Sequence, residues 1–213
     1  MLTVQDTELL TSDAEQFARS LEADVADGKV FCAGEQMQIG WMVNLIRSNG
    51  EHQLTIDEPD FQSMPIEWKN SVTTTLLHLR LQRSICESYG FGEQGSFPSI
   101  RYCALTTSEF DGNAKRIVLE RFHAQGADSG WFIGCNESNV DCNDAACLRR
   151  ISLYELAMVC PRCVPFMALP CGTRVDIANE LVTVHYSGTL VRAVAGSLMS
   201  LRSGRVLEHS DGA

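Results

Sequence analysis

Cysteine is the residue type in this sequence whose spacing could support chemistry. Six of the nine cysteines lie between Cys135 and Cys171, and Cys160-Pro161-Arg162-Cys163 is a C-x-x-C motif. Thiolates at this spacing can share a zinc ion, with Cys142 and Cys147 as two further ligands. A C-x-x-C motif at the start of a helix would instead carry reactive thiols of lowered pKa. The motif therefore raises two hypotheses, a metal-binding module and a redox-sensing module.

One observation argues against each hypothesis. Structural zinc sites usually have two closely spaced pairs, whereas Cys142 and Cys147 are separated by four residues in an acidic loop that opposes thiolate formation. The C-x-x-C motif follows a predicted helix, and the negative end of a helix dipole disfavours thiolates. Buried or incidental thiols are the favoured interpretation, so we predict neither a metal nor a cofactor.

No other residue pattern indicates catalysis. No two of the five histidines have the spacing of metal ligands. The sequence contains no phosphate-binding glycine loop, no G-x-S-x-G elbow and no H-E-x-x-H motif. We therefore predict that the protein is not an enzyme.

Acidic residues form the candidate binding site. Glu137, Asp141 and Asp144 lie in a polar loop with no basic residue before Arg149. The whole chain has 17 Lys and Arg against 27 Asp and Glu, a formal charge of −10. Phosphate contacts need clustered cations, so this charge argues against direct nucleic-acid binding. It favours a basic protein partner such as a nuclease, although acidity also keeps proteins soluble and a solvated turn would equally explain the loop.

The elements around this loop can be predicted from local patterns. Trp131, Ile133 and Cys135 alternate with other residues, which predicts a strand that begins at a glycine turn. After the loop, Ser152 and Glu155 have the spacing of a capping box. They predict a short helix that ends near the proline of the C-x-x-C motif, because proline has no amide hydrogen to donate.

The order of these features resembles one bacterial protein family. The segment Asp128-Ser129-Gly130-Trp131 opens the strand, the acidic loop and the helix "ISLYELA" follow, and the turn "PFMALPCG" at residues 165–172 precedes a final hairpin. This pattern is similar to immunity-protein family 33 of bacterial polymorphic toxin systems, and it covers the C-terminal half of the chain. The resemblance implies a protein that binds and neutralises a toxin made by the same or a sister cell. We then expect Glu137, Asp141 and Asp144 to approach the basic active-site cleft of that toxin.

The first half of the chain predicts two helices around a hairpin. Residues 13–26 have a helical apolar stripe with a capping box at Ser12 and Glu15, and residues 67–89 contain no glycine or proline and predict a long helix. Between them, residues 37–46 alternate as one strand. The turn at Asn49-Gly50 predicts a hairpin with Leu45 opposite Leu54 and Val43 opposite Ile56.

The second half predicts further strands and a second hairpin. Strands are expected at residues 99–106 and 116–122, and Asn179-Glu180 predicts a turn that places Ile177 opposite Val182 and Val175 opposite Val184. An apolar stripe at residues 190–201 predicts a terminal helix. The mixture of hairpins and helices, without regular alternation, indicates an α+β fold. Glycines and a proline at residues 90–98 suggest two parts, 1–92 and 93–213.

The sequence also suggests a compartment. Its first residues have neither the basic nor the apolar region of a signal peptide, and no run of apolar residues is long enough to span a bilayer. We therefore expect a cytoplasmic protein with reduced cysteines and no membrane partner.

Overall fold

The computed structural model of the protein describes residues 8–50, 53–135, 144–179 and 181–202. The chain divides into two compact units, Met1–Arg80 and Leu81–Ala213. Both units combine helices with largely antiparallel strands, which confirms the predicted α+β class. Within the described ranges, every helix is too short or too polar to cross a membrane.

Unit 1, the first of these units, consists of a helix, a four-stranded antiparallel sheet and the start of a second helix. Helix α1 is Glu8–Ala26, and α2 is Thr73–Ser88, within which the division between the units falls. The strands follow one another in chain order: β1 (Gln36–Ile39), β2 (Met42–Ser48), β3 (Leu54–Asp60) and β4 (Glu67–Lys69). The apolar stripe of α1 packs on the start of α2, where Leu10, Val72 and Leu76 form a buried cluster.

Two predictions for the strands of unit 1 were wrong. Residues 37–46 are a tight hairpin, since Gly40 adopts a φ of 60° and Ile39 pairs with Met42. The register after Asn49-Gly50 is shifted, with Ile46 rather than Leu45 near the middle of the pairing and opposite Ile56. The Asn49 amide donates to the Gln53 carbonyl oxygen at 2.8 Å, so the strands are joined by a longer loop than the predicted two-residue turn.

The predicted helix boundaries in unit 1 were also wrong. Ser12 lies inside α1, whose described part already begins at Glu8, so Ser12 and Glu15 do not cap it. Helix α2 begins at Thr73 because Glu67–Lys69 pairs with β3 as an edge strand. Pairing with the preceding strand therefore overrides the helical pattern of these residues.

Unit 2, the second unit, is built on a seven-stranded mixed sheet. Its strands lie in the order β11-β10-β9-β6-β7-β5-β8, and of the described pairings only β5 with β7 is parallel. In chain order they are β5 (Cys103–Thr107), β6 (Arg116–Arg121), β7 (Asp128–Cys135), β8 (Leu148–Ser152), β9 (Thr173–Ala178), β10 (Leu181–Tyr186) and β11 (Thr189–Val191). Helix α3 is Leu153–Val159, and short 3-10 helices occupy Gly92–Gln94, Ala145–Cys147 and Pro161–Phe166.

The hairpin predicted near the C-terminus is confirmed. Val182 pairs with Ile177 and Val184 pairs with Val175, as the turn at Asn179 requires. The terminal helix is wrong in part, because Leu190 lies in β11 and helical structure begins only at residue 198.

Candidate functional site

The Asp128-Ser129-Gly130-Trp131 segment builds the start of β7 from its own side chains. The Asp128 carboxylate accepts a hydrogen bond from the Gly130 amide at 2.9 Å. The Ser129 hydroxyl donates to the Cys103 carbonyl oxygen at 2.7 Å and accepts from the Trp131 amide at 3.2 Å. This polar turn therefore joins β7 to the neighbouring β5 at a fixed position.

Gly130 is required by a close approach of two backbones. Its φ is 78°, and its carbonyl oxygen accepts from the Phe122 amide at 2.8 Å. A Cβ atom at this position would overlap the Phe122 carbonyl group. Only glycine combines this φ with the missing side chain, so the third position of the segment holds β6 against β7.

Trp131 joins this segment to the turn at residues 165–172. It is 1% exposed and therefore lies in the core of unit 2. Its indole nitrogen donates to the Met167 carbonyl oxygen at 3.0 Å. The two segments that carry the family resemblance therefore meet in the folded protein, although they are far apart in the sequence.

Arg121 completes this cluster with a buried positive charge. Its guanidinium lies 5.5 Å from the Trp131 ring and donates to the carbonyl oxygens of Ser96, at 2.9 Å, and Leu169, at 2.5 Å. Burial lowers the pKa of Arg121, and none of the described carboxylates forms a salt bridge with it. Arginine nevertheless keeps its proton in proteins, so a cation held by carbonyl oxygens stabilises the turn.

Arg121 was not among the predicted site residues, although the sequence contains a signal for it. Ile117, Leu119 and Arg121 are at alternate positions of β6, so they share one face of the strand. All three are buried. A charged residue in the series of a buried face indicates a specific polar environment around it.

The strand end that follows Arg121 forms an exposed surface with two concavities. Phe122 is 57% exposed, and both concavities are lined by Phe122, His123 and Asp128. One, of about 380 Å³, extends towards Trp131, and the other, of about 350 Å³, extends towards Arg121. We call Phe122, His123 and Asp128 the Phe122 surface. An exposed aromatic ring between hollows is a common anchor in protein interfaces.

Of the acidic loop that the sequence singles out, the structure describes only the last of the three candidate residues, Asp144. Glu137 and Asp141 lie outside the described residues. The Asp144 side chain is exposed, and its carboxylate accepts from the Ala146 amide at 2.9 Å to cap a 3-10 helix. Asp144 thus has a structural contact as well as access to a partner, and its role in binding stays a prediction. The predicted cap of α3 is confirmed, since the Ser152 hydroxyl accepts from the Glu155 amide at 3.0 Å.

The C-x-x-C motif is a buried dithiol at the end of α3. The Cys160 and Cys163 sulfurs are 3.2 Å apart, and the residues are 1% and 0% exposed. The hydrogen bond with Cys163 lowers the pKa of Cys160, and the same bond together with burial raises the pKa of Cys163. Cys147 contacts Asp144 instead, and Cys142 lies outside the described residues. Nowhere in the described ranges do three His, Cys, Asp or Glu side chains gather in a way that could hold a metal ion.

Comparison with known proteins gives one family. Residues 81–186 match the family model of the Imm33-like domain, and this segment contains the Phe122 surface, the acidic loop and both segments that meet at Trp131. No curated protein and no solved structure matches the chain.

Proposed function

We propose that the protein is an immunity protein that binds and neutralises a cognate bacterial toxin, because residues 81–186 match the model of the Imm33-like family. The family match is the observation that carries the proposal. It agrees with the resemblance seen in the two sequence segments that converge on Arg121 and Trp131.

The protein would neutralise the toxin by covering its active site in a one-to-one complex. The Phe122 surface offers an exposed aromatic ring that a partner can bury, and it borders two concavities that can accept the partner's side chains. Glu137, Asp141 and Asp144 would approach the basic cleft of the toxin and exclude its substrate. A stable complex of this kind buries about 800 Å² on each partner. No chemical step by the immunity protein is needed.

The preferred partner is a basic, cytoplasm-acting nuclease delivered by a secretion system such as type VI, or carried by a polymorphic toxin. A nuclease must present cations to its phosphate substrate, and a chain of charge −10 would be steered onto that surface. The same charge disfavours direct competition for nucleic acid by the immunity protein itself.

Recovery of the partner from native lysate tests this function. The full chain serves as bait, and mass spectrometry identifies what copurifies with it at near-equal stoichiometry. We expect one large protein with a toxin domain, encoded beside the gene of the bait. Recovery of no toxin, under conditions in which the neighbouring gene is expressed, would contradict the proposal.

Two sets of substitutions would then locate the contact. Phe122→Ala should weaken toxin binding. Leu190→Ala is the control, because it shortens an apolar side chain of similar exposure on β11, away from the Phe122 surface, and it should leave binding unchanged. Simultaneous reversal of the charges at Glu137, Asp141 and Asp144 should weaken binding most at low salt. An unchanged affinity after the charge reversal would exclude the acidic loop as the contact.

A redox-sensing module is the second candidate, and the 3.2 Å separation of the Cys160 and Cys163 sulfurs is the observation that favours it. The pair would form a disulfide on exposure to glutathione disulfide, which would be reduced to glutathione. Thiol counting by mass spectrometry, with Cys160→Ser as the control, tests this function. Elemental analysis of the reduced protein tests the related metal-binding hypothesis.

A further inference from the structure

Unit 1 contains an apolar groove that the family match does not cover. The groove has a volume of about 430 Å³ and lies between the second half of α1 and the sheet. Its apolar lining includes Leu21, Val25, Phe31, Met37, Ile46 and Leu54. The volume is within the range of sites that bind small molecules or inserted side chains, about 300–1,000 Å³.

The groove is open because the apolar stripe of α1 is longer than the core beneath it. In the first half of α1, Leu10, Ala14 and Phe17 pack against the start of α2. Leu21 and Val25 continue the same stripe at helical spacing, but they line the groove rather than fill it. Val25 is 56% exposed, and Leu54 on the opposite wall is 48% exposed. Apolar walls at the mouth of the groove are therefore available to a partner.

Unit 1, which contains the groove, is strongly acidic, with 13 Asp and Glu against five Lys and Arg in residues 1–80. Residues 81–213 contain 14 against 12. Most of the negative charge therefore belongs to unit 1. Each of the five cations also forms a salt bridge with a carboxylate of the same unit: Arg19 with Glu15, Lys29 with Asp24, Arg47 with Asp57, Lys69 with Glu58, and Arg80 with Asp13. Glu22 adds an exposed carboxylate at the rim of the groove.

We propose that this groove receives a large aliphatic or aromatic side chain of the cognate toxin, presented by a segment that carries Lys or Arg on either side. The apolar walls would bury the inserted side chain, and Glu22 together with the net negative charge of unit 1 would favour its basic neighbours. A second copy of this chain would bring the same excess of negative charge and is disfavoured. The inference rests on the proposed function, because it assigns unit 1 a direct contact with the same toxin.

A substitution that fills the mouth of the groove tests the inference. Val25→Trp places an indole at an exposed position of α1, and Leu77→Trp makes the matched change at a 41% exposed position of α2 that does not line the groove. Affinity for the toxin domain recovered from native lysate is measured by calorimetry with each full-length variant. We expect Val25→Trp to weaken binding by about tenfold or more, as loss of a central anchor does. Leu77→Trp should stay within about twofold of the wild type.

A direct contact measurement does not depend on the folding of the tryptophan variant. A photo-crosslinking amino acid at Leu54 should join the protein to the toxin in the equimolar complex, and the same group at Leu77 should not. Unchanged affinity of folded Val25→Trp, or no crosslink at Leu54, would overturn the inference. If the wild type binds the toxin while the groove changes have no effect, the proposed function stands without this inference. If the wild type does not bind the toxin, both fail.

Discussion

Replacement of Gly130 by alanine is the sharpest test of the architecture beneath the candidate site. Gly130 and Gly126 both have positive φ, 78° and 64°, and they lie in and just before the same strand, β7. A Cβ atom at Gly126 would meet no atom within 4 Å, whereas at Gly130 it would overlap the Phe122 carbonyl group. Gly126→Ala is therefore a matched control that shares the backbone cost and lacks the collision.

The magnitudes follow from these two contributions. A left-handed conformation costs an alanine about 1–2 kcal/mol, and both variants should lose this much. The collision at Gly130 can be relieved only by moving the β6 backbone, because the obstructing atoms belong to a carbonyl group. Such forced shifts cost about 1–3 kcal/mol. Gly130→Ala should therefore destabilise unit 2 by about 1–3 kcal/mol more than Gly126→Ala.

Hydrogen exchange of the β6 and β7 amides is the appropriate assay. The chain has two units, so a single global transition would mix their stabilities. Protection of the Phe122 amide, which donates to Gly130, should fall most in Gly130→Ala. Affinity for the toxin should fall with it, since the Phe122 surface would move. Equal protection in the two alanine variants would mean that the Phe122 carbonyl group does not require glycine at position 130.

Three further predictions concern buried polar groups. Burial lowers the pKa of His78 from 6.5 to about 4, so the unfolded chain binds this proton at a higher pH than the folded protein does. The free energy of unfolding should therefore fall by at most about 3 kcal/mol as the pH drops from 6.5 to about 4. His78→Gln should remove this part of the pH dependence of unit 1, measured by hydrogen exchange of the α2 amides at several pH values. Arg121→Met should destabilise unit 2 by about 3 kcal/mol, measured by hydrogen exchange of the β6 amides, because it leaves buried carbonyl oxygens unpaired. Arg116→Met, at an exposed position of the same strand, should cost little. The fully buried Glu58 carboxylate accepts from the Thr75 amide and hydroxyl, at 2.8 and 3.0 Å. Glu58→Ala should therefore lower the hydrogen-exchange protection of the β3 amides by more than Glu58→Gln, and an equal effect would contradict this role.

Sequence patterns predicted the elements that are specified by neighbouring residues. The pairing of Val175 with Val184 is confirmed because a short turn at Asn179 fixes the register of two adjacent strands. Ser152 caps α3 because its partner amide is three residues away. The same reasoning failed at Asn49, because the connection to β3 continues as far as Gln53 and shifts the register.

The candidate site depends on contacts that local patterns do not specify. Arg121 bonds to Ser96 and Leu169, which are 25 and 48 positions away in the sequence. Its alternation with Leu119 indicated a buried position, but only the folded chain shows which carbonyl oxygens surround it. The groove of unit 1 was missed for a different reason, since a regular apolar stripe on α1 does not distinguish residues that fill a core from residues, such as Leu21 and Val25, that line a groove. Its open end could not be inferred from the stripe alone.

Titration of toxin activity distinguishes neutralisation in an equimolar complex from other modes of inhibition. The purified full chain is added in increasing amounts to a fixed, high concentration of the toxin domain, and the residual toxin activity is measured. If the protein forms an equimolar complex with the toxin, toxin activity should fall linearly and end at one copy of this protein per toxin. Complete inhibition by a small fraction of an equivalent, or persistent activity in the presence of an excess, would contradict neutralisation in such a complex.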